Sequence, residues 1–445
     1  MLSLTPYFCC GEISLLFLKI KSLMLTPVKI IKSKLWSNIW NQFLLYGFSS
    51  LVPFFLIPFL LSHIGVEKYG LINFALAFTF YFQVINEFGF DLSNVRHVVD
   101  NRNSPNELGK VFSSILACKG LLVLLSLCVY IPIIYLVPYF HSEIILYVLA
   151  FIRLLGIVIT PYWLFRSLED VKYITRISIL VKVICVFPIF ITVKEPDDYI
   201  KVMFFFALET FVSGVLALYV GVKRYSLILS TVSFSDIKYF FKDSLPFFSS
   251  TFLLRITTNS NAVLLGFFSG DYAVGLYTAA EKLHNVYASL VSPLLSHIFY
   301  PYFTRIKGNI TLISKIVKLI CISNLILLLF IYLLSPYLIP LYIKTDVETI
   351  MVYYNIFLLL LCISIPTEIV GFPCLGVLGK IKEVSYTTIL SSFCYLIGTC
   401  ILVIFDWIKV SSVIWILVIS QIICFIARLY FIISAKPYKT NISKR

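Results

Sequence analysis

The chain of 445 residues carries 36 Lys and Arg against 22 Asp and Glu, a net charge of +14, yet only 13% of its residues are charged and 60% are hydrophobic. Its mean hydropathy of +0.96 lies far from that of a soluble domain, in which roughly a quarter of residues are charged. This excludes a water-soluble enzyme, and the basic excess needs no nucleic acid, because basic loops face anionic lipid head groups.

About 20 consecutive apolar residues cross a bilayer as a helix, which satisfies its backbone polar groups without water. After a tail of residues 1–40, that ruler places spans at 41–63, 69–92, 111–137, 144–165, 177–193 and 202–222. A connection at 223–244 follows. Further spans run over 245–268, 274–299, 319–339, 350–372, 384–405 and 410–432, with a tail at 433–445. The expected fold is all-α integral membrane, with about twelve transmembrane helices in two six-helix halves. The apolar stretch 13–18 is too short to span and has no small-residue cleavage site. Because Met24 precedes a basic entry into the first span, residues 1–23 read as a misplaced start or a tail.

Lys and Arg stay on the cytoplasmic side of a membrane. The first tail carries Lys19, Lys21, Lys29, Lys32 and Lys34, and every second connection is basic, from Arg96, Arg102 and Lys110 through Arg305, Lys307, Lys315 and Lys318 to Lys380 and Lys382. The last tail adds Lys436, Lys439, Lys444 and Arg445. In all, 25 basic residues fall on this side, while the other holds only Lys68, Lys194, Lys201, Lys344 and Lys409. Both termini are therefore expected in the cytoplasm.

The longest connection, 223–244, leaves no room for a soluble catalytic domain. No P-loop, Gly-rich dinucleotide turn or HExxH pattern appears, which argues against an ATP-driven pump with its motor in the same chain. The 11 cysteines lack CxxC spacing and mostly sit inside apolar spans, as buried thiols packing like small hydrophobes do. The five histidines form no metal-ligand spacing, and no cofactor is implied. An internal echo links the halves: Gly65-Val-Glu-Lys-Tyr-Gly70-Leu71 after the first span and Gly270-Asp-Tyr-Ala-Val-Gly275-Leu276 after the seventh. Six spans per half make the repeats parallel, and transporters place their substrate between such halves.

Several motifs resemble those of Wzx-type O-antigen flippases, the polysaccharide branch of the MOP exporter superfamily. They include Leu60 to Gly70, Phe88-Gly89-Phe90-Asp91 with Asn94-Val95-Arg96, and Trp163-Leu-Phe-Arg166-Ser-Leu-Glu169. The series continues with Asn259-Ser-Asn261, Leu264-Leu265-Gly266, Gly275-Leu276-Tyr277 and Ala279-Ala280-Glu281-Lys282-Leu283. The resemblance covers residues 36–436. It departs at Ser167, where the family often has Gly. It implies a flippase in the bacterial inner membrane that moves undecaprenyl-diphosphate-linked oligosaccharide repeat units to the periplasmic leaflet. Its implied partners are that lipid-linked substrate, membrane lipids, and an O-antigen polymerase and chain-length regulator.

Such a task requires a hydrated, cationic cleft, and ionisable groups at mid-membrane are its candidates. Arg153, Arg255, Lys282 and Asn259 are the expected diphosphate and glycan ligands, since a guanidinium offers paired donors to phosphate oxygens. Glu209 and Glu281 are the expected ion-coupling groups. Thr251, Arg255, Thr258 and Asn259 share one helix face, as do Thr278, Glu281, His284 and Asn285. A plain ion pair of Arg255 with Glu281, or of Arg153 with Glu209, would also account for these residues. Lys119 and Lys182 read as snorkelling to the cytoplasmic face. Glu87, Asp91, Glu368 and Arg428, at span ends, read as solvated or loop-anchoring. Pro53, Pro58, Pro188 and Pro293 read as helix bends.

Two other function classes compete. A cation-coupled drug exporter of the same superfamily would favour acidic and aromatic residues over the central basic excess. A membrane polymerase would need a large outer loop bearing arginines, and the outer connections here are short.

Overall fold

The computed structural model describes residues 52–306 and 309–434, and every regular element among them is helical. Ten of these helices are long and apolar enough to cross a membrane, and Val52–His63 is a shorter apolar helix. The twelve-span reading differs at two places. Its first span reaches back to residue 41, outside the described residues. Its seventh and eighth spans run together in one helical stretch, Phe234–Leu294, broken at Gly270 (φ 82°, ψ 171°). The basic residues of both tails, Lys307, and the side chains of Thr251, Thr258 and Pro293 also lie outside the described residues.

We label the helices α1 (Val52–His63), α2 (Gly65–Glu87), α3 (Pro105–Leu136), α4 (Ile144–Ile159), α5 (Val171–Val186), α6 (Tyr199–Arg224), α7 (234–269), α8 (271–294), α9 (Ile310–Tyr342), α10 (Val347–Ile369), α11 (Ile381–Ile404) and α12 (Val410–Ile433). Local sequence sets several starts. Pro105 opens α3, with the Ser104 hydroxyl accepting from Glu107 N. At α7, Ser233 Oγ accepts from Asp236 N at 3.2 Å while Asp236 Oδ2 accepts from Ser233 N at 3.1 Å. This reciprocal cap satisfies donors that a helix start leaves orphaned. The Asp236 carboxyl is held below its ordinary range, first by the Ser233 hydroxyl and then by its backbone N–H, with Lys110 nearby. Pro188 stands between α5 and the short helix Ile189–Thr192, with helical dihedrals of its own.

Connections of like phase meet one another. On the expected outer side Lys68 pairs with Glu143 at 3.5 Å, Tyr199 bonds Glu143 and Tyr139 bonds Asp271. There too, Tyr272 donates to Asp346 at 2.6 Å and Ser269 to Ile408 O at 2.8 Å. On the basic side Arg224 pairs with Asp170 at 3.0 Å and His97 meets Asp243 at 3.1 Å. These bonds follow the parity read from the charge pattern.

The largest buried apolar cluster joins both halves, drawing on Phe74, Tyr130, Leu265, Tyr277, Ile350 and Ile414, all toward the outer ends. Toward the basic side the core divides. One cluster gathers around Phe112 and Trp163 with the start of α7, another around Phe303 and Leu361 in the second half. The outer join rests on the echoed glycine motifs. A Cβ on Gly70 would fall 1.8 Å from Asp271 O, and one on Gly275 would fall 2.1 Å from Val66 O. Val66 and Gly70 stand in the first motif where Asp271 and Gly275 stand in the second. The contact is therefore reciprocal, as at a two-fold interface.

Candidate functional site

Charged side chains converge on the boundary between the halves. In the first half, α4 and α6 pack backbone to backbone: a Cβ on Gly156 would lie 2.4 Å from Phe211 N, and one on Gly214 would lie 2.4 Å from Gly156 O. Thr210 Oγ1 donates to Arg153 O at 3.1 Å across this seam. The close approach brings Arg153 and Glu209 within electrostatic reach, with Lys182 of α5 on the same carboxylate. Lys182 therefore faces this interior network rather than snorkelling to the head groups.

From the second half, Lys282 of α8 lies within electrostatic reach of its neighbour Glu281 and of Arg153. Two cations from opposite halves thus lie within electrostatic reach of each other. Counting Lys182, the network holds three cations and two carboxylates.

Arg255 of α7 forms an ion pair with Glu87 at the end of α2. Its side chain is 42% exposed and that of Glu87 is 14% exposed. Gln83 Nε2 fixes the other oxygen, donating to Glu87 Oε1 at 2.7 Å. The backbone turns just beyond, with φ 41° at Phe88 and 73° at Gly89. At Gly89 the turn brings α2 so close to α7 that a Cβ would lie 2.7 Å from Phe248 N. Phe88 stacks on Phe248 with centroids 4.5 Å apart. Glu87, read from sequence as solvated or loop-anchoring, is therefore one side of a contact between the halves.

Lys119 also departs from expectation. It is 4% exposed and donates to Val158 O at 3.4 Å, with Asp91 at 4.0 Å. Depth in the span says nothing about which face a lysine occupies, and this face points inward. Glu87, Asp91, Lys119, Thr160 and Glu209 line a cavity of about 300 Å³ within the first half.

The second half contains a counterpart of about 310 Å³ between α10, α11 and α12, lined by Glu368, Thr388, Ser391, Tyr395, Gln421 and Arg428. Arg428 Nη1 donates to Thr367 O at 2.7 Å, Nη2 to Thr388 Oγ1 at 3.0 Å and Nε to Thr387 Oγ1 at 3.2 Å. Ser292 Oγ donates to Glu368 Oε2 at 2.6 Å. Both charged residues belong to this cavity wall, not to a solvated helix end.

On the expected polar stripe of α8, Glu281 Oε1 accepts from Tyr277 Oη at 3.0 Å. Thr278 turns back to Val274 O at 2.7 Å, and His284 Nδ1 meets Asn285 Oδ1 at 3.1 Å. On α7, Asn259 is half-buried one turn from Arg255. Asn261, Tyr277 and Tyr395, which the sequence did not single out as site residues, are almost wholly buried and bonded to one another. The available signal was polar character inside apolar spans. Among the described residues no group of three or more His, Cys, Asp or Glu could hold a metal ion.

This fold of two helical halves recurs in solved structures of low sequence identity. The fold aligns with an inward-closed structure of the lipid II flippase MurJ at a TM-score of 0.63, covering 90% of this chain and 88% of that one at 14% identity. It aligns with an inward-facing MATE-family multidrug resistance transporter at 0.60, covering 87% and 96%, also at 14% identity. The family described as "Polysaccharide biosynthesis protein" matches residues 35–307, and the chain belongs to that family. A protein of Escherichia coli K12 described as "Putative O-antigen transporter" is 27% identical over 299 residues, 66% of this chain and 71% of its own length. A Shigella dysenteriae protein of the same description is 27% identical over 272 residues, 61% and 68% respectively. The chain is a multi-pass membrane protein of that family.

Proposed function

We propose that this protein flips undecaprenyl-diphosphate-linked oligosaccharide repeat units from the cytoplasmic to the periplasmic leaflet of the bacterial inner membrane. The reading is supported by the family match over residues 35–307 together with two basic residues from opposite halves, Arg153 and Lys282, lying within electrostatic reach of each other. Like charges repel across the seam, and a diphosphate between them replaces repulsion with two charge-assisted contacts. Substrate binding on the basic side would draw the halves together there, and the pinned outer ends would then part. Arg255 takes part by exchange: phosphate oxygens compete for its guanidinium and release Glu87, while Asn259, one turn away, meets the glycan. The prenyl tail stays in lipid beside the open seam.

Glu209 and Glu281 are the coupling groups in this scheme, each set beside a cation that the substrate can claim. The halves are residues 41–222 and 245–432, joined by the cytoplasmic connection 223–244, with tails 1–40 and 433–445 also in the cytoplasm. An O-antigen polymerase and a chain-length regulator would act on the delivered units. The fold is shared with a multidrug transporter, but cations outnumber carboxylates in the central network, which favours an anionic head group over a cationic drug.

The test is complementation of a strain lacking the protein, scored by surface polysaccharide. Arg153→Ala and Lys282→Ala are each expected to reduce export by at least about tenfold, one phosphate contact being worth about 1.5–3 kcal/mol. Normal export from both variants at wild-type abundance would refute the diphosphate site.

A further inference from the structure

Tyr395 forms part of the wall of the second-half cavity, but its hydroxyl is turned away into the protein. It donates to Asn261 Oδ1 on α7. Asn261 Nδ2 donates to Tyr277 Oη at 2.9 Å, and Tyr277 Oη donates to Glu281 Oε1 at 3.0 Å. Asn261, Tyr277 and Tyr395 are 1%, 1% and 3% exposed, so solvent scarcely competes for these bonds. Four residues on three helices thus form one chain, and every donor in it points toward the carboxylate.

That direction depends on the state of Glu281. An ionised carboxylate only accepts, and each phenol has a single hydrogen to give. A neutral carboxyl gains one O–H donor while its carbonyl oxygen still accepts; where that O–H is given to Tyr277 Oη, Tyr277 directs its own hydrogen elsewhere. Asn261 offers the alternative acceptor by turning its amide over, with Oδ1 toward Tyr277 and Nδ2 toward Tyr395. The Tyr395 hydroxyl then accepts from Asn261 Nδ2 and no longer gives its hydrogen to Asn261, while its ring stays in the wall of the second-half cavity.

We propose that Asn261 and Tyr395 are positioning residues for Glu281, acting through Tyr277, and that this chain reverses its donor direction when Glu281 takes up a proton. The event on α8 is thereby relayed to α11, at the wall of the second-half cavity. The inference rests on the reading of Glu281 as a coupling group. Other titratable groups near that carboxylate are Lys282 beside it and Tyr69 from α2, with Arg153 of α4 acting on Lys282. None of these three is a link of the chain, so a change at Tyr395 tests the chain itself.

The experiment uses the full-length protein in liposomes and a fluorescent undecaprenyl-diphosphate glycan as probe, with flipping followed across a range of pH. Tyr395→Phe keeps the ring and its packing. Its maximal rate is expected within about threefold of wild type, with the midpoint of the pH profile moved upward by about one unit, because ionised Glu281 loses remote support. Glu281→Gln is expected to flatten the profile, and adding Tyr395→Phe to it should then change nothing further. The infrared carbonyl stretch of protonated Glu281, assigned by its loss in Glu281→Gln, should shift in Tyr395→Phe even if transport is impaired. A wild-type midpoint and carbonyl band in Tyr395→Phe would overturn the relay while leaving the coupling reading intact. A Glu281→Gln protein with the wild-type profile would overturn both.

Discussion

Gly70 and Gly275 meet backbone to backbone: a Cβ on Gly70 would lie 2.6 Å from Gly275 N as well as 1.8 Å from Asp271 O. Neither neighbour is a side-chain tip that could swing aside. A methyl group at Gly70 therefore has to move helices, not rotamers. Gly70→Ala is expected to cost about 1–3 kcal/mol, the usual range for overpacking, read as a lower melting temperature in detergent. Gly120 has nothing within 4 Å of its missing Cβ, and Gly120→Ala should leave the melting temperature unchanged or raise it slightly. Equal behaviour of the two variants would remove the glycine seam as the outer join.

The Glu87–Arg255 pair separates a structural role from a binding role. Arg255→Ala should abolish export at normal protein abundance, and Arg255→Lys should retain part of it, because an ammonium keeps the charge but loses the paired donors. Exchanging the partners, Glu87→Arg with Arg255→Glu, should restore thermal stability but not export. Recovery of export in the exchanged protein would limit Arg255 to holding the halves together.

Orientation can be read by single-cysteine labelling with a membrane-impermeant maleimide in a cysteine-free background. Cysteines at Lys238 and Arg96 should be shielded in whole cells, and those at Asp197 and Lys344 should label. Finding Asp197 and Lys238 on one side would break the alternating topology.

Transport is expected to draw on an ion gradient rather than on nucleotide hydrolysis. In liposomes, an imposed proton or sodium gradient should raise flipping several-fold, and Glu209→Gln or Glu281→Gln should erase that response. Flipping indifferent to any gradient, in the wild type and both variants, would leave downstream glycan polymerisation as the driving force.

The course of the helices was legible because apolar span length and loop charge are both one-dimensional signals. The basic connections at Asp170 and Arg224 do meet, as do the charge-poor ones at Lys68 and Glu143. Which face a residue occupies was harder to read. Lys119 and Lys182 lie at depths from which a long side chain could reach the head groups, and both turn inward instead. Glu87 reads as a solvated helix end until the turn at Phe88 and Gly89 presses it against α7. The two glycine motifs read as turns. That they also pack on each other is a relation between residues about 205 positions apart, which no local pattern contains. Among the candidate ligands, Arg153, Glu209 and Lys282 converge, while Arg255 joins a separate pair.

The separation of Glu87 and Arg255 along the chain also sets a schedule for biogenesis. They stand 168 positions apart, so at roughly 5–20 residues per second the ribosome needs on the order of ten to thirty seconds to supply the second after the first. Throughout that interval the nascent first half holds an acidic group near the lipid boundary whose cation has not yet been made. Retention beside the insertion machinery, or a water-filled path to the cytoplasm, is what would keep that intermediate from being extruded or degraded. A truncated chain ending before α7 should accordingly be short-lived in cells, and Glu87→Gln should prolong its life.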